Sequence, residues 1–87
     1  MYYVYLLENK KDQSWYIGYT SNLKRRLKEH QSGHGSQTTG IKSGWHLIYY
    51  EAYMNEKDAK GRERFLKSGS GRRFLKKQIL NYLSDDS

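Results

Sequence analysis

Five side chains in this sequence carry groups that chemistry could use, and their order along the chain is suggestive. Tyr5 and Tyr16 lie eleven positions apart, Arg26 follows ten positions later, His30 comes one helical turn after that, and Glu63 stands far down the chain. A phenol can orient or accept a proton. A guanidinium pairs with anionic oxygens in fork geometry and stays charged at any relevant pH. An imidazole exchanges a proton near neutrality. A carboxylate on a stripe that a helix buries is costly unless it is paired or metal-bound. Together these groups point to an anionic, oxygen-rich ligand.

Each residue alone has a plainer explanation. Arg26 lies among Lys24, Arg25 and Lys28 and fits a solvated basic face. A single helical histidine is more often packing than chemistry. Glu63, between Arg62 and Arg64, fits a surface ion pair worth little energetically. The tyrosines fit an aromatic core. The spacing weighs against these separate accounts. Leu23, Arg26, Leu27 and His30 occupy i, i+3, i+4 and i+7, the stripe a helix buries, and Ala59, Arg62, Glu63 and Leu66 repeat it. Charges on such a stripe are costly unless paired or metal-bound. Arg26, His30 and Glu63 are therefore the leading candidates.

Three strands and three helices must hold them. Residues 2–7 and 15–19 are rich in aromatic and β-branched residues, and the polar stretch Glu8 to Ser14 between them reads as a hairpin loop. Alternation places Tyr3, Tyr5 and Leu7 on one face, with Tyr2, Val4 and Leu6 on the other. Thr20 or Ser21 is positioned to cap a first helix over 21–32. Residues 31–44 read as a loop and 45–53 as a third strand. Asn55 and Asp58 suggest a capped second helix over 55–67, with Gly61 weakening it. Ser68-Gly69-Ser70-Gly71 reads as a breaker before a third helix over 72–83. The expected fold is α+β, a small three-stranded antiparallel sheet flanked by three helices. It forms one domain over 1–84, with 85–87 as a frayed tail.

With 87 residues the chain fits one domain with a modest core, much of it from nine tyrosines. It has no cysteine, which excludes disulfides and thiolate metal sites and fits a reducing, cytoplasmic setting. No apolar signal core or membrane-length run is present. Sixteen Lys and Arg against nine acids give a net charge of +7, which favours a polyanion partner through counterion release.

The ordered set resembles the GIY-YIG nuclease superfamily, in particular its short single-domain members. Tyr3-Val4-Tyr5 is similar to the first motif and Tyr16-Ile17-Gly18 matches the second literally. Arg26 and His30 fall where the family places its first-helix residues, and Glu63 where it places a metal-binding glutamate. Two departures stand out. Tyr3 replaces the leading glycine, and Asn81 lies too far beyond Glu63 to take the role of the asparagine some members carry there.

The resemblance implies hydrolysis of DNA phosphodiesters by an endonuclease acting in DNA repair or on structured DNA. It implies a single Mg²⁺ or Mn²⁺ on Glu63, Arg26 on the phosphate, Tyr5 or Tyr16 on the water, and His30 as relay or positioner. The phenol would then need its pKa lowered by Arg26 and the metal. Gly18, without a side chain, would let substrate backbone approach, and Lys24, Arg25, Lys28, Arg72 and Arg73 would contact phosphates. The expected partners are DNA or RNA, plus a protein that supplies specificity, and no membrane. Two other readings remain: a catalytically weak nucleic-acid-binding module, and a protein-interaction domain that keeps the fold. A binding module has no need for the glutamate, which repels phosphate unless a cation intervenes.

Overall fold

The computed structural model describes residues 1–31 and 44–85. Its elements run β1 (Tyr2–Asn9), β2 (Trp15–Thr20), α1 (Leu23–Gln31), β3 (Trp45–Tyr53), α2 (Glu56–Lys67), α3 (Gly69–Gln78) and α4 (Leu80–Asp85). The strands form one antiparallel sheet in the order β2-β1-β3, so the first strand of the chain is the central one. Its register sets Tyr5 opposite Gly18 on one side and Tyr50 on the other. A bulge between Leu6 and Leu7 shifts the pairing with β3.

The two faces of the sheet bury different cores. Val4 and Leu6 turn toward Ala59, Leu66 and Leu75, so α2 and α3 cover that face. Tyr5, Leu7 and Trp45 turn the other way and pack with Tyr16, Leu23, Leu27 and Leu47, so α1 covers the opposite face. Burying each large apolar side chain contributes roughly 1.5–3 kcal/mol, and β1 supplies most of the fully buried ones. The alternation expected along β1 is the one observed.

Local chemistry sets the ends of the helices. Asn22 caps α1, its Oδ1 accepting from the Arg25 amide at 3.0 Å, in place of the expected Thr20 or Ser21. Thr20 instead accepts from the Asn22 amide at 3.1 Å and so shapes the turn before the cap. Asn55 caps α2 by accepting from the Lys57 amide at 2.8 Å, and Gly61 lies within a continuous helix.

The expected breaker contracts to one residue. Ser68 ends α2 and caps α3 through a 3.1 Å bond from the Gly71 amide. A β-carbon on Gly71 would lie 2.0 Å from the Phe65 carbonyl oxygen, so this glycine exists for close approach of two helices. The single helix expected over 72–83 is instead two, divided at Ile79. The flanking helices therefore number four among the described residues. Most of the expected loop over 31–44, and with it His34, lies outside the described residues, as do residues 86 and 87 of the expected tail. Among the described residues, no helix is long and apolar enough to cross a membrane.

Candidate active site

The site is built around one oxygen. Tyr5, in the central strand, is 2% exposed, and its hydroxyl reaches sideways beneath the edge strand β2. Only the absence of a side chain at Gly18 lets it pass, because a β-carbon there would lie 2.4 Å from the phenolic oxygen. The space above Gly18 that was expected to admit substrate backbone is thus taken by the Tyr5 ring. Gly18 is needed for a close approach, and the approaching group is the protein's own.

Two α1 side chains meet this hydroxyl. His30 is 1% exposed, and its Nε2 lies 2.9 Å from the Tyr5 oxygen. Arg26 stands beside the same hydroxyl and also pairs with Glu29 at 3.0 Å, so its charge is held even more firmly than usual. The Arg26 charge acts on the same hydroxyl. A neutral imidazole can accept from the Tyr5 hydroxyl through a lone pair on Nε2, or donate to it in the other tautomer. Burial and the nearby Arg26 charge both lower the His30 pKa, which favours the neutral form.

Among the protein's own groups, the pull of Arg26 on Tyr5 is opposed by burial. Burial dominates and pushes the phenol up to about 12, although Arg26 pulls it down; Tyr16 and Glu63 add smaller upward pushes. Desolvation of the would-be phenolate outweighs one nearby cation. With only the protein's own charges around it, Tyr5 is a neutral hydroxyl at neutral pH.

Tyr16 joins the cluster through its ring. It lies 5.2 Å from the His30 ring, 6.4 Å from Tyr5 and 6.3 Å from Trp45, closing the back of the histidine. Glu63 comes from α2, on the opposite face of the sheet, and its charge still reaches Tyr5. It is half-buried, and its carboxylate pairs with Lys67 at 3.1 Å. The other candidates lie apart. Lys24, Arg25 and Lys28 are exposed on α1, whereas Arg72 and Arg73 belong to α3 behind the sheet. Arg72 lies 4.8 Å from the Trp15 ring and Arg73 bonds Ser70 at 3.1 Å. The two basic runs therefore sit on opposite faces.

One carboxylate is a sparse metal site, and among the described residues no cluster of three His, Cys, Asp or Glu could cage an ion. The donor set fits a hard cation such as Mg²⁺, which keeps several waters and takes only one or two protein carboxylates.

Two polar clusters were not anticipated. On β3, Glu51 accepts from Arg62 at 2.8 and 3.1 Å, from Tyr49 at 2.5 Å and from Tyr53 at 2.6 Å. The charge at the Arg62 stripe position was its only visible sign. At the far end of β1, buried Glu8 accepts from Trp15 at 3.1 Å and Tyr82 at 2.9 Å, with His46 at 4.0 Å. His46, unassigned from the sequence, belongs to this second cluster.

The model of the GIY-YIG catalytic domain matches residues 1–78. A UPF0213 protein of Clostridium perfringens is 40% identical over 67 residues, covering 77% of this chain and 71% of the relative. Another from Pediococcus acidilactici is 39% identical over 77 residues, covering 86% and 74%. The solution structure of a UPF0213 protein from Bacillus halodurans aligns with a TM-score of 0.54 at 37% identity. That alignment covers 94% of this chain and 85% of the other. With the family model spanning nearly the whole chain and relatives about 40% identical covering more than two thirds of it, the protein belongs to the GIY-YIG family of nucleases.

Proposed function

We propose that this protein is a DNA endonuclease that hydrolyses phosphodiester bonds with one divalent cation held by Glu63. The observation that carries this reading is the convergence on the Tyr5 hydroxyl. His30 bonds it at 2.9 Å, Arg26 stands against it, and the charge of Glu63 reaches it from the far side of the sheet.

Tyr5 does not need to be a phenolate. As an attacking water loses its proton to the Tyr5 oxygen, Tyr5 passes its own proton to His30 Nε2. The relay is concerted, so a phenol pKa of about 12 is no barrier. Tyr16 holds the imidazole plane from behind. Arg26 carries the charge that a phosphate needs as it gains a bond, and its persistent charge suits that task. When bound at Glu63, Mg²⁺ or Mn²⁺ supplies Lewis-acid stabilisation of the leaving oxygen. The exposed Lys24, Arg25 and Lys28 hold flanking phosphates without reading sequence. Repair or processing of structured DNA in the cytoplasm is the setting that suits such a domain, with a partner protein supplying specificity.

The test uses purified protein with supercoiled, single-stranded and branched DNA in Mg²⁺, Mn²⁺ or EDTA. Metal-dependent nicking should fall by about 10²–10³-fold in Arg26→Ala and by about 10²–10⁴-fold in Tyr5→Phe, and vanish in Glu63→Ala. Nicking that survives the Glu63 and Arg26 substitutions would sink the reading. DNA binding without any nicking would favour the binding module.

A further inference from the structure

We infer that Glu51 is a positioning residue, one that sets the rotation of α2 and thereby aims Glu63 toward β2, the strand beneath which the Tyr5 hydroxyl lies. This inference rests on the proposed metal role of Glu63. Glu51 touches neither Tyr5 nor Glu63, and it acts through Arg62.

Ala59 and Leu66, the buried residues of α2, define the line along which the helix rests on the sheet. At 100° per residue, Arg62 projects to one side of that line and Glu63 to the other. Arg62 reaches toward β3, where both arms of its fork end on Glu51. Glu63 therefore leans toward β2, the strand that carries Gly18.

Both partners of the clamp are half-buried and further held. The Glu51 oxygens also receive the hydroxyls of Tyr49 and Tyr53, its neighbours on the same strand face. The Arg62 guanidinium is covered by Phe74 at 4.5 Å and Phe65 at 5.1 Å. A bidentate pair with both partners packed this way permits one rotation of the helix.

Leverage makes the clamp matter. A carboxylate roughly 6 Å from a helix axis, near the outer radius of an α-helix, moves about 1 Å for every 10° of helix rotation. A displacement of about 1 Å is enough to cost ~10²-fold in a positioned reaction. Ala59 and Leu66 resist sliding. Against rolling, the Arg62–Glu51 pair holds the β3 side, while Glu56 accepts from Tyr19 at 2.6 Å on the β2 side and Gly71 packs closely against Phe65 and Leu66.

The test compares wild type with Glu51→Gln, Arg62→Lys and Tyr53→Phe. Paramagnetic broadening of the Glu63 and Arg64 amides by Mn²⁺ reports cation affinity at Glu63 without any turnover. Amide residual dipolar couplings of α2 report its rotation. Glu51→Gln and Arg62→Lys should raise the Mn²⁺ midpoint at least about tenfold and shift the couplings. Tyr53→Phe, which removes one hydroxyl and keeps the packing, should do both to a smaller degree. Nicking should lose kcat while the KM for DNA stays constant, which a general loss of folded protein would not produce selectively. Couplings and Mn²⁺ midpoints in Glu51→Gln that match wild type would overturn the inference. If wild type binds no Mn²⁺ at Glu63 but the couplings still shift in Glu51→Gln, the metal reading fails and the rotational clamp stands.

Discussion

Replacing Gly18 with alanine adds one methyl group and should cost the protein both stability and chemistry. The new β-carbon would lie 2.4 Å from the Tyr5 oxygen, 2.5 Å from its Cζ and 3.0 Å from Cε2, whereas ordinary contact begins at 3.4 Å. The tip of the ring must retreat by about 1 Å, a displacement that costs on the order of 10²-fold in a positioned reaction. A ring flip gives no relief, because Cζ and the oxygen lie on the flip axis. Backward retreat is blocked by Tyr16 and His30, whose rings pack against Tyr5. The 2.9 Å bond to His30 is then lost. Overpacking of this kind costs about 1–3 kcal/mol. For a domain of this size that lowers Tm by roughly 4–24 °C. Thermal and urea unfolding read the first effect, and nicking of supercoiled DNA, down about 100-fold, reads the second. Adding Tyr5→Leu removes both Cζ and the oxygen, so the double variant should regain stability over Gly18→Ala without regaining nicking. Gly18→Ala within ~0.5 kcal/mol of wild type, the usual spread for neutral surface changes, and with unchanged nicking would refute the placement of Tyr5 beneath Gly18.

Acid should destabilise the protein partly through His30. Its folded pKa is lowered by burial, so the unfolded chain binds more protons below about pH 6.5, and this contribution is lost as pH falls through that window. Unfolding midpoints at pH 7.5 and 5.5 should therefore drop more in wild type than in His30→Gln, and equal drops would refute the assignment. Lys67 pairs with the Glu63 carboxylate proposed to hold the cation. Breaking an exposed pair of this kind releases about 0.2–1 kcal/mol, so Lys67→Met should tighten Mn²⁺ binding at Glu63 by roughly 1.4- to 5-fold. A weaker or unchanged midpoint would show that the pair does not compete.

The strands were legible because aromatic and β-branched runs alternate cleanly, and their observed bounds differ from the expected ones by two residues at most. The helix ends were less so. Ser68-Gly69-Ser70-Gly71 looks like a loop by composition, yet Gly71 is there for contact with Phe65 and Leu66, a reason that appears only when two helices are packed. Arg62 shows the same limit from the other side. Its place on a buried stripe announced that a partner must exist, but Glu51 lies eleven residues away on a strand, and no helical spacing points to it. The motif residues were legible as a set. Their convergence on a single hydroxyl was not, because it depends on the void at Gly18 and on register between β1 and β2.

The position of β1 has a consequence for how the chain is made. Its left-hand neighbour, β2, follows within a few residues, but its other neighbour, β3, ends at Tyr53. At ~5–20 residues per second of synthesis, the roughly 33 residues from Thr20, which completes the hairpin, to Tyr53 take about 2–7 s to appear. Throughout that interval the nascent hairpin exposes an unpaired edge on a strand carrying Val4, Leu6 and Leu7. Such an edge is a template for pairing with another chain. Ribosomes spaced closely on one message would bring identical hairpins together during those seconds, so slower initiation should improve the yield of folded protein more than a lower growth temperature does.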